Sequence, residues 1–290
     1  MQYINNFFEP FFSPWGYALL IIFALIIGSF LSVVIYRFPK ILFNTWHHEC
    51  TAFLAQHPEE TTSSKPFNLC WPSSHCPKCK TPLKPWQNIP VIGYLLQRGK
   101  CHTCHERISF RYPLIELTSA AIAVVLFYLY GWSWTLLFGL IFSWGMLAAT
   151  FIDIDTQILP DQITLSLIWL GLLINTHHVF VSLDSAVYGA VFGYLSLWLI
   201  AKTFLLFTKR EGMGHGDFKL LAVIGAWAGW EMLLPTLLIA SFVGAIVGIA
   251  MIISGQIKRQ QPIPFGPFLA GAGWICLFWG SNLLAAWNHW

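Results

Sequence analysis

The sequence predicts an all-α polytopic membrane protein of about eight transmembrane helices, with a small domain inserted between helices 1 and 2. Three observations carry this. Of 290 residues, 56% are hydrophobic and only 10% charged, too few polar side chains to cover a soluble globule. Apolar runs of roughly 20 residues, the length that crosses a hydrocarbon core about 30 Å thick, recur along the chain. All 16 Lys and Arg fall in three zones: Arg37 to Arg111, Lys202 to Lys219, and Lys258 with Arg259. A net charge of +3, with no basic run interleaved with aromatics, excludes nucleic acid as a partner.

The expected spans are 15–36, 113–131, 134–152, 163–181, 186–207, a pair within 218–254, and 268–286. No positively charged segment precedes the first, so it is expected to be an uncleaved anchor. The first member of the pair, near 218–230, is short and Gly-rich, the pattern of a re-entrant segment. The positive-inside rule puts all three basic zones in the cytoplasm, which demands an even number of crossings between successive zones. Four spans and then two satisfy this. The many Trp and Phe residues read as lipid-facing and interfacial belts.

Carboxylates are scarce, and they cluster at two span ends. Asp153-Ile154-Asp155 runs on to Leu159-Pro160-Asp161 after the third span, and Gly214-His215-Gly216-Asp217 follows the fifth. The charge count brings both to the cytoplasmic face. Carboxylates at a hydrocarbon edge are usually kept for a pathway or for chemistry. Two that lie close together cannot both ionise readily and share a proton. The ionised member can then activate water while the protonated one polarises a peptide carbonyl. Asp153 and Asp217 are the expected catalytic pair. Gly214 and Gly216 are expected to let the chain turn before Asp217, and Asp161 to cap the next helix. Lys219 can orient a carboxylate or snorkel to headgroups.

The inserted segment carries Cys76-Pro-Lys-Cys79 and Cys101-His-Thr-Cys104, two CxxC pairs separated by 21 residues. Each places two thiolates on one turn, and two such turns close a tetrahedral S₄ site suited to structural zinc. A reducing cytoplasm favours metal over disulfides, and redox CxxC chemistry is the main rival. His75, His102 and His105 flank the pairs, and Cys50, Cys70 and Cys276 look like spares. The metal would brace a segment otherwise short of core.

Five stretches together resemble the type IV prepilin peptidases, in that family's order. They are Gly28-Ser-Phe-Leu-Ser-Val-Val-Ile-Tyr-Arg-Phe-Pro39, the two CxxC pairs followed by Ile108-Ser-Phe-Arg-Tyr-Pro-Leu-Ile-Glu116, Phe151-Ile-Asp-Ile-Asp with Leu159-Pro-Asp161, Gly214-His-Gly-Asp-Phe-Lys-Leu-Leu221, and Pro264-Phe-Gly-Pro-Phe-Leu269. The resemblance implies a bifunctional enzyme of the bacterial inner membrane. It would cleave the basic leader from prepilins or pseudopilins on the cytoplasmic side, then N-methylate the new N-terminal residue with S-adenosylmethionine. It implies Asp153 and Asp217 as the acids and Cys76, Cys79, Cys101 and Cys104 as zinc ligands. Position 32, often Asn in the family, is Ser here.

The expected organisation is a first helix over 1–36, a cytoplasmic zinc-binding and N-methyltransferase-associated domain over 37–112, and a seven-helix membrane aspartic peptidase domain over 113–290. The small-residue stretch Gly189 to Gly193 is the expected docking face for an apolar substrate helix. An ion or solute transporter using intramembrane carboxylates is the alternative from another class. A zinc-ribbon adaptor on a helical anchor is another.

Overall fold

The computed structural model describes residues 14–54, 67–210, 212–256 and 263–288; the basic pair Lys258 and Arg259 lies outside them. The described residues form eight principal helices. These are α1 (Pro14–Leu54), α2 (Arg111–Tyr130), α3 (Trp134–Thr156), α4 (Asp161–Asn175), α5 (Leu183–Thr208), α6 (His215–Ala228), α7 (Leu233–Ile253) and α8 (Gly266–Asn288). Each expected apolar segment contains a helix, though the one expected to reach 181 ends at Asn175, and α1, α2, α3, α5 and α7 are long and apolar enough to cross a membrane. The chain divides into two units, Met1–Trp144 and Gly145–Trp290, with the boundary inside α3.

In the first unit α1 runs 41 residues, well past the expected end at 36 and through Pro39. It packs on α2 through Ala24 and Gly28, small residues four apart that share one helix face. A Cβ on Gly28 would lie 2.7 Å from the Glu116 Cα, and the Ser119 hydroxyl donates to the Ala24 carbonyl at 2.7 Å. Ser32 is buried and donates to the Gly28 carbonyl at 3.2 Å. Buried Arg37 then holds the start of the following described segment, donating to the carbonyls of Asn68 and Leu69 at 3.1 and 3.2 Å.

The second unit is built around α6. This helix has 14 residues, about 21 Å at 1.5 Å per residue and shorter than the hydrocarbon core. Eleven of them are buried, as expected of a helix with protein on every side. Gly189 of α5 and Gly225 of α6 meet backbone to backbone, since a Cβ on either would fall 2.1 to 2.2 Å from the other's carbonyl oxygen. Trp227 donates its indole N–H to the Leu167 carbonyl of α4 at 2.8 Å. Buried Asn175 ends α4, donating to the Ala226 carbonyl and accepting the N–H groups of Phe180 and Val181. Ile224 packs under Gly273 of α8. These contacts correct one expectation: Gly189 and Gly193 face α6, so they hold the unit together and are closed to a substrate helix.

Candidate active site and metal cluster

The second unit brings Asp153 and Asp217 together. Helix α3 continues through Thr156, one turn past the expected end at 152, and Asp153 lies in its last turn, not in a loop. Nothing in 153–156 breaks a helix, and the chain departs only at Gln157, whose φ is +54°, three residues before Pro160. Asp153 is buried while Ile154 and Asp155 are exposed, so the helical register selects the first acid of the cluster. Asp217 is the third residue of α6, also buried, with its N–H donated to the Gly214 carbonyl at 3.2 Å. The N–H groups of that first turn present positive partial charge to nearby carboxylates. The Asp153 and Asp217 carboxylates interact electrostatically.

Three further features build the site. The Gly266 N–H, at the start of α8, donates to Asp153 Oδ2 at 3.1 Å. A Cβ at Gly266 would fall 2.6 Å from that same oxygen, so only glycine admits this approach. Leu159 is wedged under the site: a Cβ on Gly216 would meet the Leu159 Cβ at 2.8 Å, and one on Gly266 its Cδ1 at 3.4 Å. Gly216 is therefore needed for close packing rather than for a sharp turn. Gly214 has φ −75° and ψ 147°, open to any residue, and nothing lies within 4 Å of a Cβ there. The expected turning role belongs to neither glycine.

Asp161 is the first residue of α4 and makes no capping bond; Pro160 precedes the helix. Its carboxylate instead accepts from Lys219 Nζ at 2.5 Å, joining the start of α4 to the fifth residue of α6. Lys219 thus orients a carboxylate, as expected, but the sequence did not name Asp161 as the partner because the two lie 58 residues apart. Sequence reasoning also missed the Gly266 N–H, since a backbone donor leaves no mark of its own in a sequence.

In the first unit the four cysteines converge, with all Sγ atoms within 4.8 Å of one another. Cys76 and Cys104 are 3.7 Å apart, and Cys79 and Cys101 3.9 Å. A tetrahedron with metal–sulfur bonds of about 2.3 Å has edges of about 3.8 Å, so the cluster fits a four-thiolate metal site. The two knuckles repeat one design. Cys76 N–H donates to the Thr81 carbonyl and Lys80 N–H to the Cys76 carbonyl; Cys101 N–H donates to Glu106 and His105 N–H to Cys101. Lys80 and His105, each following the second cysteine, both have positive φ. An ion pair between Lys78 and Glu106 ties the knuckles together.

Thr81 and its backbone hold the Cys79 thiol down to about 6. The Glu106 backbone opposes but does not prevent the rise of Cys104 to about 11 under burial and its neighbouring thiols. Thiols this tightly coupled share protons that a metal cation would displace. His75, His102 and His105 supply no ligand atom to the cluster, and Cys50, Cys70 and Cys276 stand outside it.

A family model described as the bacterial peptidase A24 N-terminal domain matches residues 22–130, and the type IV leader peptidase family model matches 140–249. The prepilin leader peptidase/N-methyltransferase of Pseudomonas aeruginosa is 46% identical over 91% of this chain and 90% of its own. This chain belongs to the type IV leader peptidase family. The family members of the same name from Neisseria gonorrhoeae and Legionella pneumophila are 44% and 43% identical, the first over 96% of both chains and the second over 93% of this chain and 94% of its own. No solved structure matches.

Proposed function

We propose that this chain is a prepilin leader peptidase and N-methyltransferase of the bacterial inner membrane, cutting prepilins or pseudopilins with Asp153 and Asp217. One observation carries the proposal: two buried carboxylates from distant motifs meet beside a backbone N–H, in a chain of this family. Charge clustering supports a cytoplasmic position for both the acid site and the metal domain.

The chemistry follows from the geometry. Gly266 N–H occupies one lone pair of Asp153 Oδ2 and fixes the carboxylate's orientation. The remaining oxygens of the pair hold one proton between them. The ionised carboxylate takes a proton from a water, whose oxygen attacks the scissile carbonyl, and the protonated carboxyl hydrogen-bonds the developing oxyanion. Proton return to the amide nitrogen breaks the C–N bond and frees the new N-terminus. Burial of both acids strengthens each of these interactions by excluding water.

Cys76, Cys79, Cys101 and Cys104 would hold zinc, closed by four thiolates and so bracing the inserted segment without an open catalytic position. S-adenosylmethionine supplies an electrophilic methyl to the freed amine in the second reaction. Glu116, the buried carboxylate of the first unit, accepts the Val91 N–H at 2.7 Å and bonds to Ser29. No step is assigned to it. Expected for 37–112 is the metal domain and the methyl-transfer region, and for 113–290 the peptidase.

The test incubates purified enzyme with a prepilin, with and without a methyl-labelled donor. Leader loss with label in the product is the expected result. Leader loss without label removes the transferase, and no leader loss overturns the peptidase.

A further inference from the structure

The second unit contains a half-open pocket of about 290 Å³, walled by Met213, Ser241, Gly244, Ile263, Phe265 and Phe268. Its walls continue the acid motifs directly. Met213 immediately precedes Gly214 of the Asp217 turn, and Phe265 immediately precedes Gly266, whose N–H binds Asp153. Another wall is Gly244 of α7, where an added Cβ would sit 3.3 Å from the Phe268 ring, so a side chain at this position would press on that ring and crowd the pocket. At about 30 Å³ per water the volume equals roughly ten waters, the scale of one bulky side chain and far less than a helix.

We propose that this cavity is a substrate subsite that takes one apolar side chain from the first helical turn on the retained side of the scissile bond. The inference rests on the peptidase reading above. Polarity selects the occupant. The lining residues carry no charge, and Ser241 offers a single hydroxyl. A basic leader side chain placed there would lose its hydration with no carboxylate to replace it. The apolar segment kept after cleavage has the matching side chains, and two of the pocket's walls, Met213 and Phe265, are the chain neighbours of Gly214 and Gly266. A lipid acyl chain is the competing occupant.

The test is size compensation. Full-length Gly244→Leu enzyme, which fills the cavity, is compared with wild type on a parent prepilin and on variants shortened to Ala, one at a time, across the first four retained positions. Expected is a rise in KM of about tenfold or more on the parent with kcat little changed, and recovery on one shortened substrate. Phe268→Ala, which enlarges the cavity, should improve cleavage of a substrate with Trp at that same position. Recovery also shows that the variant is folded. Equal cleavage of all substrates by Gly244→Leu and wild type overturns the subsite, as does uniform loss in both variants with no position restored. A KM change that follows lipid chain length instead of substrate size assigns the cavity to lipid and also overturns it. Failure of wild type on the parent overturns the peptidase reading itself, a separate outcome.

Discussion

Gly266 shows how much of this site depends on a residue with no side chain. Its N–H lies 3.1 Å from Asp153 Oδ2, and a methyl group in its place would fall 2.6 Å from the same atom. Gly266→Ala must therefore move either the carboxylate or the start of α8. A displacement of about 1 Å at reacting groups costs on the order of 10²-fold in rate. The expected result is a kcat lowered by about that factor with KM little changed. Gly214→Ala is the contrast, because nothing lies within 4 Å of the new Cβ, and it should stay within a few-fold of wild type. Steady-state cleavage of one prepilin by both variants decides the matter; equal rates would mean that the Gly266 contact does not position Asp153.

At the scale of elements, the Asp161–Lys219 pair joins the first residue of α4 to a position two residues after Asp217. The side chains are 53% and 25% exposed, so solvent screening limits the pair's contribution to stability to about 1 kcal/mol or less. Its effect is expected on positioning: Asp161→Asn or Lys219→Gln should lower kcat several-fold with little change in melting temperature. Exchanging the charges, Asp161→Lys with Lys219→Asp, should recover most of the rate. Recovery will be incomplete because a cation at the start of α4 opposes the helix dipole. A double exchange no better than the single variants would refute a positional role. The two metal knuckles follow the same logic of matched elements: similar backbone bonds and matching positive φ at Lys80 and His105 aim four sulfurs at one point.

For the whole molecule, the acids and the cysteine cluster belong to different units, each with its own buried core. This separation predicts that the two reactions can be uncoupled. Asp217→Asn enzyme should fail to remove leaders, retain one zinc per chain by elemental analysis, and still methylate a peptide supplied with its N-terminus already free. Loss of zinc or of methyl transfer together with cleavage would show that the acids also support the first unit. Membership in the leader peptidase family removes the transporter alternative.

Composition alone determined that this chain is a helical membrane protein, because 56% hydrophobic and 10% charged residues cannot cover a soluble globule, and apolar runs of helical span length recur. The CxxC spacing likewise announced the sulfur cluster, since two short turns can hardly present four thiols otherwise. Helical register, invisible in a cluster of three acids, buried Asp153 and exposed Asp155. Only packing revealed why Gly189, Gly216 and Gly266 are glycines, as close approach is made by partners distant in the chain. Backbone donors and ion pairs across 58 or 113 residues carry no local pattern, and so the tertiary structure alone decided them.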